Sequence, residues 1–453
     1  MSEPRPYYPG RFLFGPLLII TIGVVFLLRN MGYISYATVG WWFARFWPLL
    51  LIIWGLLKYG EYLWARKHQV PYRGIGGGGV VFLIFMILLG MTATGASHIN
   101  WPGLANELDV DNDFSWGIFG TQFEFTENFA QPLQTGAQIK VISSRGSVKV
   151  TPSADNQAHA FLHKYIVTHS QDEANRLNDS THAKFQQQGS LWVLDITGSG
   201  FAHGRFDLEL QLPRASSLSV ETRRGGIHVG QFDGNVELDT MRGEIIAEDI
   251  KGNASLHVRS GNVTAKNING NVTVDGSVRD SDIQDIGGTL VITGSYFGDF
   301  HLAHIARQVH ITTSRTDLQM AKLEGELNLD PHNLRGNSLG GPLRVDTGSK
   351  YINMDDVSGD VHVEDSHGDV TLQAKLPLGN MDISTTGGQI TLSLPEKAGF
   401  QVDAETGVGN IQSDFNVNLS NSGSGATATG TVGKGGPQIK LKTNRGTIQI
   451  RKQ

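Results

Sequence analysis

Four groups of residues in this chain are candidates for a reactive or binding centre. Gly336-Asn337-Ser338-Leu339-Gly340 has the spacing of a nucleophile elbow, in which a serine is exposed on a sharp turn between a strand and a helix. Here Leu339 falls on an inward strand position and Leu343 and Val345 begin another strand, so the helix is missing and the serine is read as a turn residue. Fifteen histidines raise a metal reading, above all His159 with His163 and His301 with His304. A zinc site needs three or four converging ligands, and no acidic residue sits at a matching position beside His159 and His163. His228, His310 and His362 each lie between two inward apolar residues and are expected to face solvent. No metal and no cofactor is expected.

The third group is acidic: Asp355, Asp356, Asp360, Glu364, Asp365 and Asp369. A glycosidase-like pair needs two carboxylates at a fixed separation, one with a raised pKa. Tight turns leave no long loops to wall a groove, so a solvated acidic face is expected, with weak calcium affinity at most. The fourth group is the glycine-bounded Arg223-Arg224-Gly225-Gly226, which has the composition of an RNA-binding segment but occupies one turn of a regular repeat. The net charge of −6 also argues against nucleic acid. With no cysteine there is no thiol nucleophile, disulfide or thiolate metal site. The chain is therefore not expected to be an enzyme.

The elements that carry these residues fall into two regions. Residues 12–28 and 75–96 contain no charge, and residues 39–57 contain only Arg45, so three transmembrane helices are expected. Seven of the ten tyrosines and five of the eight tryptophans precede residue 75, mostly at the edges of these segments, as interfacial belts do. The four glycines 76–79 suit close helix packing. The segment 58–74 carries Lys58, Arg66, Lys67 and Arg73, whereas residues 97–139 carry six acids and no base. The positive-inside rule then places the N-terminus in the cytoplasm and everything after residue 96 outside. Net charge divides accordingly, +6 before residue 97 and −12 after it.

The stretch GPLLIITIGVVFLLRNMGYIS followed by FWPLLLIIWGLL resembles the transmembrane region of LiaI- and LiaF-type bacterial envelope proteins, with its LLRN-x-G helix end and W-P-L-L-L-I-x-x-G helix. The resemblance implies a bacterial plasma membrane and, more distantly, surveillance of envelope stress.

After residue 215 the sequence repeats. Gly225, Gly234, Gly243, Gly252, Gly261 and Gly270 recur nine residues apart, each followed by alternating apolar positions such as Ile227 and Val229 or Val236 and Leu238. Period-two alternation marks strands with one buried face, and the glycines are read as turn residues needing positive φ. Asn235, Asn253 and Asn271 recur every second unit, giving an 18-residue rung of two strands and an expected structural ladder in which each asparagine side chain bonds the next. One inward column is extended through Phe300, Leu318, Leu334, Ile352 and Val370, and a second through Leu290, Val309, Leu327, Leu343 and Val361. Register is open near 279–298 and 330–341. A repeat that cannot bury its own apolar face must stack on its neighbours.

The pattern predicts a membrane-anchored, mainly β protein: three N-terminal transmembrane helices, then an extracytoplasmic parallel β-solenoid with a small α/β N-terminal cap. The divisions expected are 1–96 membrane domain, 97–137 acidic linker, 138–215 cap, 216–395 solenoid and 396–453 C-terminal cap. In the first cap AQIKVISSRGSVKV reads as a hairpin, and Ser170-Gln171-Asp172-Glu173 as a capping box opening a helix with Ala174, Leu177, Thr181 and Phe185 on one side. At the other end QIKLKTNRGTIQI repeats the hairpin pattern, preceded by a Ser/Gly-rich run, residues 420–436, read as a flexible loop.

From about residue 138 to 450 the α/β entry, the strand FDLELQLPRASSLSVET and the G-x-Φ-x-Φ units resemble the bacterial β-strand-repeat family labelled putative adhesin. That resemblance implies a non-enzymatic adhesion or binding scaffold whose partners are the lipid bilayer and an envelope protein or polysaccharide. The alternatives are a LiaF-like regulator acting on an envelope-stress sensor kinase and, third, a β-helical carbohydrate-active enzyme.

Overall fold

The computed structural model describes residues 36–67, 83–84, 86–88, 121–202 and 204–453. The expected helix over 12–28 lies outside the described residues, as does most of 75–96, where residues 83–84 and 86–88 are helical. The middle candidate is a longer helix than its apolar core suggests: α1 runs Tyr36–Lys67 with Pro48 inside and Arg66 and Lys67 in its last turn. Gly60 costs only about 1 kcal/mol in a helix interior and basic residues suit a helix C-terminus, so the helix continues through part of the charged segment expected to be a loop. Among the described residues no helix is long and apolar enough to cross a membrane.

The chain divides into two compact units. The first holds α1 and α2 (Gln171–Asp179), whose N-cap Ser170 Oγ accepts the Glu173 N–H at 3.3 Å. This helix ends at Ser180, so Thr181 and Phe185 are not on it; Phe185 lies in the strand His182–Gln188.

The second unit is a two-faced β-solenoid. On its first face Leu218, Val236, Ala254, Val272, Leu290 and Val309 stack in parallel register. On the second face Ile227, Ile245, Val263, Ser281 and Phe300 do the same. All of these are buried, and apolar side chains from the two faces form the core between them. Alternation explains this directly: each inward residue is followed by one that faces water.

The solenoid is not parallel throughout. The strand Thr316–Leu329 runs antiparallel to Phe300–Ile305 and Val309–Thr313 on one side and to Asn333–Asn337 and Leu339–Thr347 on the other. Two tight turns make the reversal. Thr313 Oγ1 accepts the N–H groups of Arg315 and Thr316 at 3.1 and 2.9 Å, and Asp330 Oδ1 accepts those of His332 and Asn333 at 2.6 and 2.7 Å. Because the strand enters from the opposite end, Met320 rather than Leu327 joins Val309 and Leu343, and Leu329 rather than Leu318 joins Phe300 and Leu334. Beyond it, parallel stacking resumes through Ile352 and Val370 on one face and Val361 on the other.

Neither terminal hairpin is a hairpin. Gln138–Ser143 pairs with Leu191–Thr197 and Ser217–Thr222, and Val148–Pro152 pairs with Gly204–Leu212 and Ile227–Gly230, so the two strands lie on opposite faces of one rung. Gln438–Arg445 and Ile448–Lys452 are arranged likewise. Apolar alternation is the same for a hairpin and a rung; the core requires the rung. The Ser/Gly-rich run is not a loop either: Asn418–Ser422 and Gly425–Val432 form an antiparallel ladder, the latter also pairing with Phe400–Val408.

Candidate functional site

The turns set the spacing of everything displayed on the faces. At Gly225 and Gly243 φ is +142° and +150°, but Gly234, Gly252, Gly261 and Gly270 do not have left-handed backbones. Their requirement is space: a Cβ would stand 2.3, 2.4, 1.7 and 2.3 Å from the carbonyl oxygens of Ser216, Gly234, Gly243 and Gly252 in the rung below. Residues that do adopt left-handed backbones form a separate column, Gln231, Asp249, Asn267, Asp285 and His304, with φ between 54° and 68°. Asn and Asp tolerate that region, so the 18-residue recurrence of Asp249, Asn267 and Asp285 was a usable signal for this corner, and one that the glycine pattern overshadowed.

The asparagine column bonds side chain to main chain, not amide to amide. Asn235 Oδ1 accepts the Asn253 N–H at 2.9 Å, Asn253 Oδ1 that of Asn271 at 2.8 Å, and Asn271 Oδ1 that of Thr289 at 2.9 Å. A turn N–H needs an acceptor, and the side-chain carbonyl below is the one at strand spacing. Asp360, Asn380 and Gln438 continue the same device further along, Asp360 Oδ1 taking the Asn380 N–H at 2.8 Å and Asn380 Oδ1 that of Gln438 at 3.0 Å.

None of the chemical candidates assembles into a reaction centre. Ser338 sits at φ +54° in the turn between the strands Asn333–Asn337 and Leu339–Thr347, with a strand and no helix after it. The acidic residues do not share one face. Asp365 is 2% exposed, Asp360 belongs to the turn ladder, and Asp369 Oδ1 accepts the Gln389 N–H at 2.8 Å. The expectation of a uniformly solvated acidic face therefore fails at Asp365. That residue stands in a column of buried threonines, paired with Thr347 and Thr385. The threonines donate to main-chain carbonyls, as Thr347 does to Arg315 O at 3.2 Å and Thr443 to Gly388 O at 3.1 Å. Asp365 Oδ1 accepts the Lys350 N–H at 3.3 Å, and Oδ2 has no partner. Burial pushes the Asp365 carboxyl above its ordinary range and the neighbouring Lys350 ammonium below its own.

The histidines pair with acids one by one. His159 does have an acidic partner, Asp155, at 3.0 Å, four residues before it. His228 faces Glu248 at 3.9 Å, His257 faces Asp275 at 3.3 Å, His304 faces Asp285 at 3.1 Å and His362 faces Asp382 at 3.8 Å. Among the described residues no cluster of three or more such side chains could hold a metal.

One concavity is a cleft of about 370 Å³ on the first face, lined by Pro342, Arg344, Asp360, His362, Asp382 and Lys440 among others. Arg344, His362, Asp382 and Lys440 are register partners on four adjacent strands. Leu343, Val361 and Met381 also border it, but their side chains turn into the core, so what the cleft displays is the outward charged row. A row of both charge signs at the ~4.8 Å strand spacing is suited to a ligand that is itself extended and polar. Lys440 comes from a strand that follows a long excursion of the chain, so the row could not be read from sequence proximity.

Residues 137–451 match the family described as Toastrack DUF4097, and residues 13–58 match the LiaI-LiaF-like transmembrane region. No curated protein matches the chain. Among solved structures, a putative cell adhesion protein from Clostridium sporogenes is 11% identical, with 73% of this chain and 100% of that chain covered and a TM-score of 0.18. A putative adhesin from Bacteroides fragilis is 13% identical, covering 72% of this chain and 97% of that one, with a TM-score of 0.23. A putative lipid binding protein from Parabacteroides distasonis is 12% identical, covering 72% and 94%, with a TM-score of 0.16. Overlaps this low carry no functional argument. With more than half of its length matched, the chain belongs to the Toastrack DUF4097 family, here joined to a LiaI-LiaF-like transmembrane region.

Proposed function

We propose that this is a non-enzymatic envelope protein of the bacterial plasma membrane, in which three N-terminal helices anchor an extracytoplasmic β-solenoid that serves as a binding scaffold. The N-terminus is cytoplasmic, and residues 97–137 join the membrane domain to the solenoid, not as a plain linker throughout, because Thr121–Pro132 form a strand that pairs with Gln157–Thr168. The observation that carries the reading is the outward charged row Arg344, His362, Asp382 and Lys440 on four adjacent strands. It offers donors and acceptors at regular spacing to an extended envelope polysaccharide or protein segment, with no group positioned to cleave it. The test is retention of envelope fractions by the chain in detergent, compared with the Arg344→Ala, Lys440→Ala double variant. Retention is expected to fall at least tenfold and to weaken with salt, since two cationic contacts are removed. Equal retention by both proteins would overturn the assignment of the cleft.

A regulatory reading is favoured by one specific observation, the LiaI-LiaF-like match over residues 13–58. In it the scaffold restrains a membrane sensor kinase, and deletion of the gene turns on an envelope-stress response without a stressor. An unchanged transcriptome on deletion would rule against it.

A further inference from the structure

The final rung of the chain is not the final rung of the solenoid. Gln438–Arg445 lies between two strands that precede it in sequence, with Ile439 paired to Met381 on one side and to Val402 on the other. Ile448–Lys452 is placed in the same way, Ile448 pairing with both Ile390 and Ile411. The chain therefore builds a slot one rung wide between residues 370–394 and 400–413, moves on through Asn418–Val432, and then returns to fill it.

The fit of this segment is specific. Ile439, Leu441, Ile448 and Ile450 point into the core and are at most 1% exposed. Gly388 N–H and Ile390 N–H on one wall donate to Arg445 O and Thr447 O at 3.1 and 3.0 Å. Gly446 N–H and Ile448 N–H donate to Val408 O and Asn410 O on the other wall at 3.0 Å each. Gly446 is left-handed, and a Cβ there would stand 2.0 Å from Gly388 O, so only glycine seats the turn. Without the segment both walls would expose unpaired strand edges, which recruit another strand wherever one is available.

The tether to this segment is short and permissive. It runs from Gly433 to Pro437 and includes Gly433, Gly435 and Gly436 at φ +61°, +76° and +155°. Glycine readily adopts other conformations, so the tether can open without disturbing either strand pair.

We propose that the slot is a strand-acceptor site for the same C-terminal segment of a second copy of this chain, so that two chains exchange their final rungs reciprocally. Every contact of the segment with the slot is identical whether the donor is the same chain or its neighbour; only the tether changes. Exchange of this kind is favoured where copies are held close and a hinge is short, and tethering to one membrane concentrates the copies. It also bears on the cleft, because Lys440 and Gln438 line it and both belong to the donated segment. In the exchanged pair each cleft is built from two chains. The inference does not depend on the cleft's ligand, so its failure would leave cleft binding by a self-completed chain untouched.

The absence of cysteine makes the test direct. Asp382 and Lys440 are register partners on neighbouring strands, at a Cα spacing that permits a disulfide. Chains carrying Asp382→Cys and Lys440→Cys separately, with different tags, are co-expressed in membranes and oxidised. A disulfide-linked heterodimer is expected, well above the yield from Asp382→Cys with Lys149→Cys, whose positions are not partners. The double variant in one chain, forming an internal bond, checks the register. A heterodimer yield no higher than that of the non-partner pair, with the internal bond intact, would overturn the proposal. Deleting Gly435 and Gly436 is expected to raise the exchanged fraction by shortening the tether, and an unchanged or lower fraction would count against it.

Discussion

Replacing Asp365 by threonine should stabilise the protein at neutral pH and change how its stability depends on pH. Asp365 is 2% exposed, its Oδ2 has no partner, and its neighbours in the column are Thr347 and Thr385. Removing a buried unsatisfied oxygen recovers about 1–3 kcal/mol, and a threonine hydroxyl donating to a main-chain carbonyl adds about 1 kcal/mol. Against this, Lys350 is also buried and loses a nearby negative charge, although its Nζ donates to Asp330 O at 2.5 Å and keeps that bond. A net gain of about 2 kcal/mol is expected. For a unit the size of residues 137–451 the unfolding entropy is about 0.7 kcal/mol/K, so Tm should rise by about 3 °C. The sign with pH follows from burial. The folded-state pKa of Asp365 is raised, so the native chain holds a proton that the unfolded chain has already lost. Its contribution to stability is fully present below the unfolded value of 3.8 and is lost as pH rises through the higher folded value. The advantage of Asp365→Thr should therefore be smaller near pH 4, where the folded chain holds the proton, than at neutral pH. Thermal unfolding of the full chain in detergent, followed by far-UV circular dichroism at both pH values, checks this. No gain at neutral pH, or an equal gain at both, would refute the reading of Asp365 as a desolvated carboxyl in a threonine position.

Two further substitutions separate space from backbone conformation. Gly261→Ala places a Cβ 1.7 Å from Gly243 O and should cost about 3 kcal/mol, whereas Gly226→Ala, with its nearest atom at 3.4 Å, should cost under about 1 kcal/mol; urea unfolding midpoints compare them. Asn253→Ala removes the acceptor for the Asn271 N–H and should cost about 1 kcal/mol, while Asn253→Asp, which keeps an acceptor oxygen, should stay close to the unsubstituted chain in the same assay.

How far the sequence could be read depended on what kind of signal each feature leaves. The inward positions were legible because burial on one side of a strand forces period-two alternation, and Val236, Ala254 and Val272 stack where that alternation puts them. Strand direction leaves no such mark. Thr316–Leu329 alternates equally well read either way, and reading it as parallel puts Leu318 and Leu327 on each other's faces. The terminal segments were misread for a related reason: two alternating strands joined by a short turn describe both a hairpin and a rung. The cleft was illegible, since Arg344, His362, Asp382 and Lys440 are far apart in sequence and are joined only by strand register.

The mainly β repeat, its 18-residue period and the identity of its buried face are written locally along the chain, as consequences of local sterics and of which side chains avoid water. Direction and order are settled only when the strands pack: the reversed strand, the inward turn of Asp365, and the return of Gln438–Lys452 into a slot made before it. Hydrogen-bonded strand edges are chemically alike along the chain, so which edge a segment fills is settled by shape, core volume and tether length, none of which is written in any one segment.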